Sequence, residues 1–322
     1  MGTYIKGSNI KLFALIFVAL LLLPLIFRNP FFLRIATEAL MWIGLAISWD
    51  VIGGYTGRVN FGHGAFFGIG AYITAILMMN WGWAFLPTLP VAGFGAGLVA
   101  FIIGFPTLRL MGAYFAIAMW SLALAFQQLA LLMNITGGPD GMRLPTFLNP
   151  EFFFYLMLVM VTGTFVLLWY LMECASFGFK VRSIREDESG AMALGLNPTR
   201  IKIQAFVLSA VPAGLIGGIY AYWVSYIDPP SVFGDIITDQ AIVMTILGGM
   251  GTLIGPAIGA VILFAFKTVF WAYLSDYQVL YLIILGVVIA LTVFFLPNGV
   301  WGTINSYLDH RKSKKNYSLI SL

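Results

Sequence analysis

The sequence predicts an all-α integral membrane fold of about ten transmembrane helices, and three observations carry that prediction. First, 61% of the residues are hydrophobic, 9% are charged and mean hydropathy is +0.95, whereas a soluble domain carries about 25% charged residues and does not expose apolar surface on this scale. Second, the 322 residues divide into apolar runs of about the 20 residues that a helix needs to cross a bilayer. Third, nine of the thirty Lys, Arg, Asp and Glu residues fall within one stretch, Glu173 to Lys202. That stretch lies in water while its flanks lie in lipid. Little is left over for a separate soluble domain, so 1–322 reads as one transmembrane domain.

The segments follow in order. The first run, 10–27, comes after Lys6 and Lys11 as the core of a signal peptide would, but its length and its lack of an A-x-A cleavage pattern favour a retained span. The second, 33–53, carries Glu38 and Asp50. The third, 61–79, holds Gly62, Gly64 and Gly68. The fourth, 88–105, holds Gly93 and Gly97 and runs into Pro106. The fifth and sixth are 110–133 and 152–172. Beyond the polar stretch lie 203–224, interrupted by Pro212, a short eighth run 236–250, then 253–274 with Pro256, and finally 279–296. Proline beside or within a span kinks it, so the helices should be irregular.

Orientation follows from Lys and Arg, which accumulate on the cytoplasmic side. With the N-terminus inside, thirteen of the seventeen lie in cytoplasmic segments, including Arg58, Arg109, the polar stretch and the tail 303–322. Three, Arg28, Arg34 and Arg143, fall opposite, and Lys267 stays within a span. Both termini and the polar stretch, between spans six and seven, are then cytoplasmic.

Chemistry-bearing residues are scarce. There is no G-x-x-x-x-G-K-[ST] phosphate loop and no G-x-S-x-G nucleophile turn, and the two histidines, His63 and His310, are too few for a metal cluster. The single Cys174 excludes a disulfide within the chain. The chain therefore reads as neither an enzyme nor a metal protein. Of the polar residues in the spans, His63, Asp239 and Lys267 are the candidates for a role in the membrane, because ionisable groups there are costly and must face protein or water. Asp239 and Lys267 lie on adjacent spans and are expected to pair.

Glycine is the other compositional signal, at 35 residues. Gly251, Gly255 and Gly259 repeat the four-residue spacing of Gly64 and Gly68, which places each set on one helix face where backbones can approach closely. Gly248 and Gly249 precede them. These glycines either pack helices or line a pathway between broken helices. GYTGRVNFG at 54–62 loosely echoes YIDPPSVFG at 226–234, with the aromatic-to-glycine spacing differing by one, a hint that would suit an inverted repeat.

Within the polar stretch, Ser183 and Glu186 have the spacing of an S-x-x-E capping box, and Gly195 with Asn197-Pro198 supplies a stop. Ile184, Glu188, Ala191 and Gly195 share one face of the helix so defined. Two readings are open: a helix that docks into a groove on a partner, and an amphipathic connector lying on the membrane surface.

Four segments carry a resemblance: SIREDESGAMALGLN at 183–197, GYTGRVNFGHGAFFGIGAY at 54–72, TGGPDGM at 136–142 and ILGGMGTLIGPAIGA at 246–260. Over roughly residues 35–300 the chain resembles permease subunits of the branched-chain amino acid ATP-binding-cassette importers, the LivM type of the LIV-I permeases. The broader permease pattern, Glu-Ala-Ala, three residues and Gly, is met in part: Ser189, Gly190 and Ala191 stand where Glu-Ala-Ala is expected and Gly195 where the glycine is.

The resemblance implies a type II importer permease fold in the inner (plasma) membrane. It implies a LivH-type paralogue, two cytoplasmic ATPase subunits of LivG and LivF type and an extracytoplasmic binding protein as partners. It also implies that the chain binds no cofactor and that ATP is consumed by the partners. It assigns ATPase coupling to Arg182, Ile184, Arg185, Glu186, Asp187, Glu188, Ala191, Leu194 and Gly195. The charged residues would form polar sides and Ile184, Ala191 and Leu194 packing sides. Loops 136–150 and 228–234 would meet the binding protein. The substrate the resemblance implies is a branched-chain amino acid, with urea, short-chain amides and aromatic acids as alternatives inside the family and an ion-coupled secondary transporter as a more distant reading. On this reading, Arg185→Glu combined with Glu188→Arg abolishes ATP-driven uptake and leaves the chain inserted in the membrane.

Overall fold

This computed structural model describes residues 17–24, 29–273 and 299–306, with single helical positions between 283 and 294. Most of the run 279–296 and of the tail 303–322 lies outside the described residues, as do both ends of the first run.

Three helices begin the same way. Pro30, Pro150 and Pro198 each open a helix behind an asparagine whose side chain accepts a backbone N–H: Asn29 from Phe31 (3.0 Å), Asn149 from Phe152 (3.0 Å) and Asn197 from Arg200 (3.1 Å). Asparagine satisfies an orphan donor and proline lacks the N–H that would be orphaned, so Asn-Pro is a start signal. Asn197-Pro198 therefore opens a helix instead of closing the one before it, contrary to the expectation from sequence.

The helices are α1 (Pro30–Asp50), α2 (His63–Met79), α3 (Phe85–Thr107), α4 (Ala113–Leu132), α5 (Pro150–Trp169), α6 (Ser176–Glu186), α7 (Glu188–Ala193), α8 (Pro198–Val224), α9 (Pro229–Phe233), α10 (Asp235–Gly248) and α11 (Ile254–Tyr273). Wider π-helical turns extend α1 over Val51–Tyr55 and α5 over Tyr170–Cys174. Among the described residues six helical segments are long and apolar enough to cross a membrane, and α2 and the apolar part of α11 are shorter apolar helices. Each predicted run from 33–53 to 253–274 falls on one of these eight.

α8 is the centre of the bundle, packed along α2 and α3 and against α1. Glycine sets those distances. A side chain on Gly70 would strike the Gly214 carbonyl, one on Gly217 the Phe67 carbonyl and one on Gly93 the side chain of Leu215. Lipid supplies no hydrophobic drive between helices, so backbone approach of this kind carries the association. The core is aromatic and aliphatic, with Trp49, Phe66, Phe67, Phe153, Phe154 and Phe206 fully buried. α4 is the most open span, burying Phe115, Met119, Ala123 and Ala130 and presenting Tyr114, Ile117 and Leu132 outward.

The loops 136–150 and 228–234 carry regular structure of their own. Met142–Arg143 and Tyr226–Ile227 form a two-residue antiparallel ladder, Met142 against Ile227 and Arg143 against Tyr226. α9 occupies most of 228–234 behind an Asp228–Ser231 capping box.

Candidate functional site

The polar stretch is two helices with a break. Asp187 is extended (φ −150°, ψ 105°), and its carboxylate caps α7 by accepting the Ser189 N–H at 3.0 Å. The expected capping box at Ser183 and Glu186 does not form. Ser183 lies inside α6 and donates to the Phe179 carbonyl (3.0 Å), and the helix ends at Glu186. Asp187 takes the capping role because an extended residue aims its side chain at the next turn's free amides, which a helical serine cannot do. Gly195, at φ +83°, turns the chain after α7, donating to the Met192 carbonyl at 2.9 Å.

Two π-helical turns form the seat for this pair of helices. Tyr55 donates its hydroxyl to Glu173 Oε1 (2.8 Å), and Arg182 ion-pairs with the same carboxylate, donates to the Met172 carbonyl (3.0 Å) and lies 5.2 Å from the Tyr55 ring centre. Arg185 Nη1 donates to the Gly54 carbonyl at 2.6 Å. Glu188 accepts from Arg58 (3.2 Å) and from Lys202 Nζ (2.5 Å), and Arg58 also donates to the Leu110 carbonyl (2.7 Å). Beneath these, Val181, Ile184 and Ala191 are buried with Ile47, Val51, Leu168 and Met172. π-Turns recur where a helix must re-aim side chains. Here they present a tyrosine, a carboxylate and a bare carbonyl to the arginines of α6.

Arg182, Arg185 and Glu188, expected on the polar sides, bond to the rest of this chain, Arg185 while remaining exposed. Ile184 and Ala191 pack inward, while Leu194 is 84% exposed, with Met192 also exposed beside it. Glu186, Asp187 and Gly195 stay on the outer surface. The physical reason is that charged side chains beside an apolar core are held where hydrogen-bond and ion-pair partners exist for them. The paired reversal Arg185→Glu with Glu188→Arg would set a carboxylate against the Gly54 carbonyl and a guanidinium against Arg58 and Lys202. It therefore perturbs the seat as well as any docking surface.

The glycines sit at helix contacts. Gly62 abuts the Met119 carbonyl, Gly68 the Phe233 ring, and Gly248, Gly255 and Gly259 bring the backbones of α10 and α11 together. Gly64 N–H donates to Thr238 Oγ1 at 2.8 Å. Gly249 and Gly251, at φ +119° and +76°, make the turn between α10 and α11, and the Gly251 N–H donates to Asp50 Oδ1 at 2.8 Å.

The three intramembrane candidates do not come together. His63 is buried with Nε2 2.9 Å from Ser48 Oγ; because that hydroxyl donates to the Leu45 carbonyl, the imidazole is the donor. The expected Asp239–Lys267 pair is absent: Asp239 is exposed on α10, whereas Lys267 lies 3.9 Å from Glu38 and 5.4 Å from the Trp42 ring centre. α11 packs on α1 as well as on α10, and Lys267 is on the α1 side. Sequence reasoning left Asp50, Tyr55, Arg58, Glu173 and Lys202 without a site role. A lysine one turn into an apolar span was the available signal, since it demands a counter-charge nearby.

Comparison with known proteins places these features. Residues 31–293 match the family described as branched-chain amino acid transport system / permease component. The high-affinity branched-chain amino acid transport system permease protein LivM of Salmonella typhimurium is 32% identical, over 92% of this chain and 76% of that protein, and LivM of Escherichia coli is similar to the same extent. A probable LivH of Methanocaldococcus jannaschii is 25% identical, over 86% of this chain and 90% of that protein. No solved structure matches. With most of its length matched and a multi-pass helical bundle to bear it, the chain belongs to the permease family of the branched-chain amino acid transport systems.

Proposed function

We propose that this chain is a permease subunit of an ATP-binding-cassette importer that takes up branched-chain amino acids, forming half of the pathway beside a LivH-type paralogue in the inner membrane. It is one domain of about ten spans with both termini and residues 173–202 cytoplasmic. Two ATPase subunits of LivG and LivF type supply the energy, an extracytoplasmic binding protein delivers substrate, and the chain has no ATPase of its own. The observation that supports this reading is the α6–α7 segment: its inner side is bonded to both π-turns and to α8, while Met192 and Leu194 stand outward with Glu186 and Asp187. A rigidly seated lever with an apolar tip suits transmission of ATPase closure to the spans.

The test is purification of the tagged chain with its paralogue and ATPase subunits, followed by leucine uptake in proteoliposomes. Met192→Asp with Leu194→Asp removes the ATPase subunits and ATP-driven uptake while leaving the permease pair intact. Retention of both ATPase subunits by this variant, or leucine uptake by the lone chain without ATP, overturns the proposal.

A further inference from the structure

The α6–α7 segment and the α10–α11 turn share a fastening point. Asp50, at the end of α1, is fully buried, and its carboxyl accepts the Gly251 N–H at 2.8 Å. One helical turn further on, Gly54 has no side chain, so the Asp50 carboxyl and the Gly251 amide meet in the space that a Cβ there would occupy. The Gly54 carbonyl is the acceptor for Arg185 (2.6 Å), and the same guanidinium nitrogen borders Gly251, where an added Cβ would lie 2.9 Å from it. Gly251, at φ +76°, adopts the left-handed backbone that turns its N–H toward α1. Four pieces of chain distant in sequence thus converge: the end of α1, its π-turn, α6 and the turn between two spans. A buried carboxyl is costly and is held by the bonds it makes; Asp50 makes its bond through Oδ1, while Oδ2 is buried with no hydrogen bond among the described residues.

We propose that Asp50 is a positioning residue that fastens the α10–α11 turn to the Arg185–Gly54 contact, so that displacement of α6 moves α10 and α11 with it. This rests on the permease reading above. Asp50 is fully buried, away from the exposed Met192 and Leu194, and acts through Gly251. Disruption therefore separates two quantities that a general loss of structure lowers together: ATP hydrolysis by the assembled complex, and substrate moved per ATP.

The experiment uses the complete complex in proteoliposomes with its binding protein, reading leucine uptake and ATP hydrolysis in parallel. Asp50→Leu lowers uptake by about tenfold or more, within the 5–150-fold span of ordinary coupling free energies, while hydrolysis per assembled complex is retained. Asp50→Asn keeps the side-chain oxygen and restores most of the uptake. Arg185→Gln, at an exposed residue, lowers uptake in the same way, and provides the reading if Asp50→Leu fails to assemble. Combined with Asp50→Leu it adds little, because both variants break one linkage. Uptake and hydrolysis that fall in proportion in Arg185→Gln, or uptake unchanged in it, overturn the proposal. If the unmodified complex shows no ATP-driven uptake, the permease reading falls and this linkage falls with it.

Discussion

Glu188 bridges two cations, and the strength of that bridge can be worked from its surroundings. Its carboxylate lies 2.5 Å from Lys202 Nζ and 3.2 Å from Arg58, with the side chains of Lys202 4% exposed, Arg58 13% and Glu188 39%. Glu188→Ala leaves a buried ammonium without this counter-charge. Breaking a fully buried pair costs about 3–5 kcal/mol, and a hydrogen bond to a charged group contributes about 1.5–3 kcal/mol. Because Glu188 is partly open to water, screening lowers the expected cost to about 2–3 kcal/mol. Lys202→Met removes the ammonium and keeps the aliphatic packing, so the double variant should be more stable than the sum of the single changes by about 1 kcal/mol or more. The assay is reversible unfolding of the purified chain in mixed micelles with a denaturing detergent. A Glu188→Ala variant within about 0.5 kcal/mol of the unmodified chain, or strict additivity in the cycle, would refute the bridge as a structural element.

Two further predictions use the same assay. Gly70→Val forces a branched side chain against the Gly214 carbonyl and costs at least about 1–3 kcal/mol, whereas Gly163→Ala, with open space around it, is neutral or stabilising by up to about 1 kcal/mol. Equal effects at the two sites would undo the packing account of the glycines. Lys267→Met changes stability by less than about 1 kcal/mol, since its contact with Glu38 is long at 3.9 Å and both side chains are partly exposed; a larger loss would show that the pair is structural.

Much of the bundle was legible because membrane helices are locally specified. An apolar run has no alternative in lipid but to satisfy its own backbone, so 88–105, 152–172 and 203–224 could be read without knowing their neighbours. The break at Asp187 was not legible: the spacing of Ser183 and Glu186 pointed to a cap at Ser183, whereas Asp187 caps α7 in a segment whose Ile184 and Ala191 are buried. The two π-turns were equally hidden, since Val51–Tyr55 and Tyr170–Cys174 continue apolar spans without any local signal of widening.

By itself the sequence determined a multi-pass helical membrane protein with one polar segment outside the spans, because apolar length and charge distribution along the chain decide what enters lipid; its motifs added the resemblance to a permease family. The tertiary structure decided which faces of that segment are free. Arg185 meets Gly54, Glu188 meets Arg58 and Gly251 meets Asp50 across 131, 130 and 201 residues of chain. Pairings at that range are set by how the helices pack, and they tie Arg185 and Glu188 of the polar segment to the rest of the chain while Met192 and Leu194 stay exposed.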